Sequence, residues 1–319
     1  MNQLLEGLRA AAEESRLRLL ALCAHGELTV SELAGILGQS QPRVSRHLKL
    51  LCDGGLLQRF REGSWVFFRL ADQGVNADLA REIVARIPAR DPSHAGDRER
   101  LREAKVRRAA TAAAYFRNNA ARWREIRALH VPEPLVEEVL VAAAGGNYRH
   151  LVDIGTGTGR ILEILAPHVE RGIGVDLSRE MLAIARDNLE RAGLRHCYVR
   201  LADMYRMPFE DASIDLISVH QVLHFAEEPA RVIGEAARLL RPGGRLVVAD
   251  FAPHGLEYLR TAHAHRRLGF SDGEVASWLR GHGLVLAAPT KLVGDPLTVV
   301  VWSADRPGAR EIARDRTAA

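Results

Sequence analysis

The chain has 319 residues, which predicts about two domains at roughly 150 residues each, and its 47% hydrophobic and 26% charged content is that of a globular protein. Cys23, Cys52 and Cys197 lie too far apart for a disulfide framework or a tetrahedral zinc site of their own, which predicts a reducing, cytoplasmic location and no metal site. No apolar run approaches the ~18 residues of a membrane span and the first twenty residues lack a signal layout, so secreted and integral-membrane classes are not expected.

Residues 1–90 hold 12 Lys/Arg against 10 Asp/Glu, residues 91–130 hold 10 against 5, and residues 131–319 hold 22 against 25. A basic front joined to a slightly acidic back predicts that only the front meets a polyanion. Arginine abundance itself carries no argument, because Lys49, Lys105 and Lys291 are the only lysines.

Residues 4–24 read as one amphipathic helix ended by Gly26. Thr29 or Ser31 can cap a short helix, Glu32–Leu37, stopped by Gly38. Ser40 and Pro42 then open a helix whose Val44, Leu48 and Leu51 face inward, leaving Gln41, Arg43, Ser45, Arg46 and Lys49 outward. Leu56–Phe60 and Trp65–Leu70 alternate as a β-hairpin around Arg61-Glu62-Gly63-Ser64. Helix, turn, helix and wing is a DNA-reading arrangement: Gln and Arg on the second helix can read base edges, and Arg59 and Arg61 on the hairpin would meet phosphate.

Through SRLRLLALC, LTVSELAGILGQSQPRVSRHLKLLCDGGLL and REGSWVFFRL, residues 1–75 resemble the ArsR/SmtB-type winged-helix repressors. The resemblance implies a homodimer on a near-palindromic operator. Many members sense metals, but Gly26–Ser31 has no Cys, Arg81–Arg90 has no His or Asp, and Cys23 and Cys52 sit on apolar faces. The signal is expected elsewhere in the chain.

Ile87–Gly96 is a breaker-rich boundary, and Asp97 can cap a long basic helix running to about Leu129. Its Tyr115, Phe116 and Trp123 either pack as a connector stripe or, for Tyr115 and Phe116, form a lid over a ligand site in the second domain. The expected domains are a winged helix at 1–87, a linker and connecting helix at 88–130, an α/β domain at 131–305 and a polar tail at 306–319.

After a helix at about Pro134–Ala144, the strand through Asp153 leads into Gly155-Thr156-Gly157-Thr158-Gly159 and an apolar-periodic helix. The next strand ends in Asp176, suited to accept from two ribose hydroxyls. Further strands, His196–Leu201, Ser213–Val219 and Arg245–Ala249, alternate with helices. That pattern sets Asp153, Asp176, Asp203 and His220 at the carboxyl edge of one doubly wound parallel sheet. The loop is G-x-G-x-G with an acid before it. An acid near a pyrophosphate position disfavours a dinucleotide and suits a cationic amino-acid end.

VDIGTGTGR, GVDLSREML, LADMYRMPFED, SIDLISVHQVLHFAEEP and LLRPGGRLVVAD resemble class I S-adenosylmethionine-dependent methyltransferases of the ubiquinone/menaquinone-biosynthesis-like group over residues 130–305. The resemblance implies that Asp153, Gly155, Thr156, Gly157 and Gly159 hold the methionine end. It implies too that Asp176 holds the ribose, that Asp203 and Met204 meet the adenine, and that His220 lies beside the cofactor, with Leu177 and Met181 also expected in the cofactor site. Gly283–Ala288 and Leu297–Ser303 would complete a Rossmann-like sheet with an antiparallel last strand.

Methyl transfer needs alignment, and a base only where the acceptor loses a proton. His220 and His224 are the candidate catalytic residues, with Tyr205 and His254 nearby, and each also fits a structural role. His263 and His265, two apart on an expected helix, would point different ways; with the arginines around them they could recognise an anionic acceptor or contact the N-terminal domain. Two functions follow. In one, a DNA-binding regulator senses S-adenosylmethionine or S-adenosylhomocysteine, as in similar fusions that regulate methionine-cycle genes. In the other, an active methyltransferase works on a small organic acceptor and the winged helix controls its operon. The fusion and the missing metal site favour the first. Methylation of the bound DNA itself is disfavoured, since the chain lacks an Asn/Asp-Pro-Pro-aromatic run and a Cys after the fourth strand.

Overall fold

A computed structural model describes residues 1–26, 28–62, 65–71, 74–88, 90–119 and 132–308. The chain divides into two compact units, Met1–Thr111 and Ala112–Ala319. Among the described residues no helix is long and apolar enough to cross a membrane.

The first unit opens with α1 (Asn2–Ala11) and α2 (Glu14–Cys23), two helices where the leucine spacing predicted one. Glu13 causes the break: its backbone is extended and its Oε2 accepts the Arg16 N–H at 2.9 Å, capping α2. β1 (Leu28–Thr29) leads into α3 (Val30–Leu37), where Thr29 and Glu32 form a capping box and Gly38, at φ 66°, closes the far end. In α4 (Gln41–Asp53) Pro42 sits in the first turn, but the Ser40 hydroxyl makes no capping bond. β2 (Leu57–Glu62) and β3 (Trp65–Leu70) pair antiparallel with Phe60 opposite Phe67; Gly63 and Ser64 of the turn lie outside the described residues. β1 adds a third strand, Leu28 opposite Phe68, too short to show a period in sequence. α5 (Ala77–Arg86) follows, and Leu19, Leu33, Val44, Leu48 and Leu56 fill the core.

The long helix α6 (Pro92–Asn119) starts earlier than expected. Asp91 accepts the His94 N–H at 2.9 Å and serves as the cap assigned to Asp97. Asp97 lies one turn inside, at 0% exposure, where Arg18 binds it through two hydrogen bonds of 2.6 and 2.7 Å and Arg100 through one of 2.6 Å. Arg100 also donates to the Ile36 carbonyl at 2.5 Å, near the end of α3. A carboxylate so buried persists only because it is paired; its hydrogen bonds in turn raise the pKa of Arg18, against the opposing effect of burial. Trp123 and the expected helix end at Leu129 lie outside the described residues.

The second unit continues with α7 (Glu133–Ala144), β4 (Tyr148–Ile154), α8 (Arg160–Leu165), β5 (Val169–Asp176), α9 (Arg179–Arg191), β6 (Cys197–Leu201), β7 (Ile214–His220), α10 (Pro229–Leu239) and β8 (Leu240–Phe251). α11 (Tyr258–Ala262), α12 (Asp272–Gly281), β9 (Val285–Leu286), β10 (Thr290–Leu292) and β11 (Val299–Asp305) end it. The strand order is β10-β11-β8-β7-β4-β5-β6: β4 to β8 run parallel, and β11 is antiparallel to β8. This is a Rossmann-like mixed sheet with the expected antiparallel last strand. Strand order reverses between β4 and β7, and such a switch point opens a crevice at the carboxyl ends. Leu140, Leu162 and Leu182 cover one face, against Leu151 and Leu216; Val232, Val275 and Leu279 cover the other, against Val152 and Ile217. The alternation of Leu216 and Ile217 between faces explains why β7 is buried throughout.

Three sequence readings change here. The strand expected at Arg245–Ala249 extends in both directions and takes in Asp250. The one at Gly283–Ala288 shrinks to two residues, and β10 was not foreseen. His263 and His265 lie beyond the end of α11, with Ala264 between them at φ 56°, so a chain reversal rather than a helix sets their rings 6.5 Å apart.

Replacing Asp97 with Ala strands Arg18 and frees the start of α6. The expected loss is about 2 kcal/mol of stability in the first unit, read by urea unfolding of the full chain; a loss below about 0.5 kcal/mol, the range of ordinary surface changes, would contradict the role given to this pair.

Candidate DNA-reading face and cofactor edge

In α4 the three inward residues Val44, Leu48 and Leu51 are each 0% exposed, and Gln41, Arg43, Ser45, Arg46 and Lys49 are all exposed. Gln41 donates to the Ser31 hydroxyl at 3.2 Å. Arg43, Arg46 and Lys49 have no hydrogen bond or ion pair to other described residues, which leaves their charges available to a polyanion. Arg59 and Arg61 are exposed two apart on β2 and so share a face. Burial raises the pKa of both Cys23 and Cys52, to about 11 for Cys52, because desolvation disfavours the thiolate.

In the second unit the glycine loop leaves β4 at its carboxyl end. Gly155 and Thr156 donate to the Val175 carbonyl at 2.8 and 3.0 Å, tying the loop to β5. Gly155 has φ 68°, and a Cβ there would stand 2.3 Å from Val222, so the segment after β7 lies directly on the loop. Only glycine meets both constraints. Thr156 turns its buried side chain toward Gly174 in the sheet, so its backbone alone faces the crevice.

Asp153 is 1% exposed and accepts the Ser218 hydroxyl at 2.8 Å, across the switch point between β4 and β7. Asp176 accepts the Gly157 N–H at 2.9 Å and the Ser178 N–H at 2.8 Å. Its pKa is raised: desolvation outweighs the lowering by these backbone hydrogen bonds. With Leu177 a third backbone donor, the carboxylate keeps acceptor capacity for a further donor. Leu177 is exposed and Met181 is buried, packed with Ile184, Phe225 and Phe116 of α6; the Phe116 and Phe225 rings meet edge to face at 4.8 Å. Phe116 therefore packs by the first turn of α9; the side chain of Tyr115 lies outside what is described. Asp203 is exposed and accepts the Tyr205 N–H at 2.9 Å, and Met204 packs on the core.

The catalytic candidates separate. Tyr205 accepts the N–H groups of Glu227 and Glu228 at 2.7 and 3.0 Å, and burial pushes its pKa up to about 12, so it is committed to holding the start of α10. His254 accepts the Leu256 N–H at 3.3 Å. His220 ends β7 at 8% exposure. His224, 2% exposed, meets Asp250 at 2.8 Å. Arg266 and Arg267 lean on Glu227 and Glu274, at 3.7 and 2.8 Å, and Arg260 on Glu257 at 3.3 Å, so the anionic-acceptor role has carboxylates already in place.

Two further residues escaped the sequence reading. Glu137 of α7 binds Arg160 through two hydrogen bonds of 2.7 and 2.6 Å, fixing the residue after the loop. Asp250 lies one residue past the expected strand Arg245–Ala249, and an acid near the carboxyl end of a parallel strand is the signal that marks it.

Residues 13–59 match the family description "Bacterial regulatory protein, arsR family", and residues 152–248 match "Methyltransferase domain". An arsR-family helix-turn-helix is fused to a methyltransferase domain. Over 200 residues the chain is 26% identical to the ubiquinone biosynthesis O-methyltransferase of Methylococcus capsulatus, covering 57% of this chain and 84% of that protein. Over 108 residues it is 36% identical to the demethylmenaquinone methyltransferase of Thermus thermophilus, covering 33% of this chain and 48% of that protein. The methyltransferase solved with the Haloferax volcanii Trm112 activator superposes with a TM-score of 0.52 at 21% identity, over 60% of this chain and 97% of that one, and shares the fold. The arsR-family match ends at Arg59, inside β2, and the methyltransferase match runs from Val152 in β4 to Val248 in β8.

A raised pKa at Asp176 predicts a pH dependence for any ligand held by its carboxylate. If ribose hydroxyls donate to this carboxylate, S-adenosylmethionine affinity measured by calorimetry is expected to hold near pH ~7.5 and weaken as acid protonates the group, above the usual ~3.9 of an aspartate. Asp176→Asn is expected to bind about tenfold more weakly and to lose that slope.

Proposed function

We propose that this protein is a DNA-binding regulator whose methyltransferase domain binds S-adenosylmethionine or S-adenosylhomocysteine, and that occupancy of that site sets its affinity for operator DNA. One observation carries the reading: α6 supplies Asp97 and Leu101 to the packing of the first unit and Phe116 to the packing around Met181 in the second. A ligand that moves the Met181 wall therefore acts on the helix that Arg18 and Arg100 hold. A switch of this kind needs only unequal affinity for the two states, about 1.4 kcal/mol per tenfold.

The cofactor class is supported by the fit of the residues: a glycine cradle closed by Val222, an Asp176 carboxylate with acceptor capacity left, and Asp153 at the point where a cationic amino-acid end would lie. Bound there, S-adenosylmethionine supplies an electrophilic methyl group. The resemblance to fusions that control methionine-cycle genes is the basis for that target. A second copy of the chain on the operator is supported by Leu4, Leu5 and Leu8 of α1, exposed at 41%, 40% and 45%. The other reading, an active methyltransferase with an autoregulatory DNA-binding domain, is favoured by the buried pair of His224 and Asp250.

Fluorescence anisotropy with DNA from upstream of the protein's own gene, at fixed salt, tests the proposal. Arg46→Ala is expected to weaken DNA binding by about 1–3 kcal/mol and to leave cofactor affinity alone. S-adenosylmethionine and S-adenosylhomocysteine are expected to shift DNA affinity unequally in the wild type, and Asp176→Ala to remove the shift. Equal DNA affinity at saturating ligand would refute the signal.

A further inference from the structure

β6 is the outermost strand on its side of the sheet and is separated by β5 from the switch point between β4 and β7, so its flank stands apart from the cofactor crevice. Tyr198 lies on this strand opposite Ile173 of β5 and packs half-buried against the core. Two guanidinium groups sit over its ring, Arg171 of β5 at 5.2 Å and Arg200 of β6 at 5.5 Å from the centroid. The register explains the meeting: Arg200 is two residues beyond Tyr198 and shares its face, and Arg171 is two before Ile173 on the neighbouring strand. Both arginines are exposed, and neither makes a hydrogen bond or ion pair to a described residue. Glu170, the acid next to Arg171 in sequence, alternates to the opposite face.

The surroundings add to the positive charge. Residues 191–202 carry Arg191, Arg195 and Arg200 and no Asp or Glu. The Gly172 N–H donates to the His196 carbonyl at 3.1 Å, which brings the residues before β6, exposed Arg195 among them, beside Arg171. By contrast Arg160, Arg238, Arg245 and Arg267 of the same unit each meet a carboxylate at 2.6–2.8 Å. One arginine stem would cover the open side of a tyrosine ring, and one charge would deter pairing at a sheet edge. A second guanidinium with no acid beside it adds repulsion, which an anion would relieve.

We propose that Arg171, Tyr198 and Arg200 form a second DNA contact, on the second unit, that holds the phosphate backbone of duplex DNA without reading its sequence. The inference goes beyond the regulator reading and takes from it only the choice of polyanion. Arginine presents a planar fork of donors that matches phosphate oxygens, and the Tyr198 hydroxyl adds one donor more. The ring is already covered by guanidinium groups, so no base stacks on it, and contact with phosphate is what the cluster offers. The second unit is slightly acidic as a whole, with 22 Lys/Arg against 25 Asp/Glu over residues 131–319, so its mean charge repels DNA and attachment must be local.

The test uses the full chain carrying Arg46→Ala, which weakens the hold of the first unit, and a fluorescein-labelled duplex of unrelated sequence, read by anisotropy over a series of salt concentrations. Each neutralised phosphate contributes about 0.9 to the slope of log affinity against log salt. Adding Arg171→Gln and Arg200→Gln together is expected to lower that slope by about 1.8 and to weaken binding at low salt by about tenfold, with the urea unfolding midpoint kept. Arg171→Lys with Arg200→Lys keeps both charges and is expected to keep the slope. Independently, in protein labelled with 3-fluorotyrosine the Tyr198 resonance, assigned by Tyr198→Phe, is expected to shift on addition of the duplex and not on addition of inorganic phosphate at equal phosphate concentration. A slope that the Gln pair leaves unchanged, or a Tyr198 resonance that the duplex leaves in place, would overturn the proposal. So would an equal shift with inorganic phosphate, which would make this a small-anion site. Normal binding of operator DNA by the wild type alongside such a result would sink this proposal alone, whereas a wild type that binds no DNA at any salt would sink it together with the reading of the first unit.

Discussion

Three aspartates at the carboxyl ends of parallel strands govern the second unit: Asp176 on β5, Asp153 on β4 and, across β7, Asp250 on β8. Each carboxyl group is withdrawn from bulk water, and each must be met by donors that the fold supplies. Backbone N–H groups meet Asp176, the Ser218 hydroxyl meets Asp153, and His224 with the Phe251 N–H meets Asp250. The glycine loop can approach the sheet so closely because Gly155 has no side chain to strike Val222. A crevice edged by acids and closed by glycine backbone favours a ligand with a cationic end and ribose hydroxyls. The fold's switch point, the loop and the acids thus express one constraint.

A fourth aspartate plays the matching part in the first unit. Asp97 draws Arg18 of α2 and Arg100 of α6 together, and Arg100 reaches on to the Ile36 carbonyl of α3. The helix-turn-helix is thereby held to α6 by charge-assisted hydrogen bonds rather than by apolar contact alone, and such bonds have defined directions. Phe116, near the far end of that helix, packs with Met181 and Phe225. α6 thus contributes a side chain to the packing of each unit.

Much of this was legible in the sequence because it is written in local patterns. The glycine loop with Asp176 after the next strand, the alternating strands of the wing, and Val44, Leu48 and Leu51 in α4 all announce themselves within a few residues. What stayed hidden depends on partners far away in the chain. Asp97 has the residue type of a helix cap, and only Arg18, distant in sequence, makes it a buried anchor. Likewise the pairing of Asp250 with His224 joins a strand to a turn, and neither motif that holds them shows that they meet. The break at Ala12 was masked by leucines whose spacing continues through it, whereas Glu13 decides the matter by capping α2. Thr156 illustrates a further limit: its place in the loop was legible, but the direction of its side chain was set by Gly174 across the sheet.

The most direct test of the central claim runs the linkage backwards. If cofactor occupancy changes DNA affinity by some factor, DNA must change cofactor affinity by the same factor. S-adenosylmethionine and S-adenosylhomocysteine dissociation constants should therefore be measured by calorimetry on the full chain, alone and saturated with operator DNA. A shift equal in size to the one seen in DNA binding, and different for the two ligands, is the result this account predicts. Identical constants with and without DNA would contradict it and leave two independent binding domains on one chain.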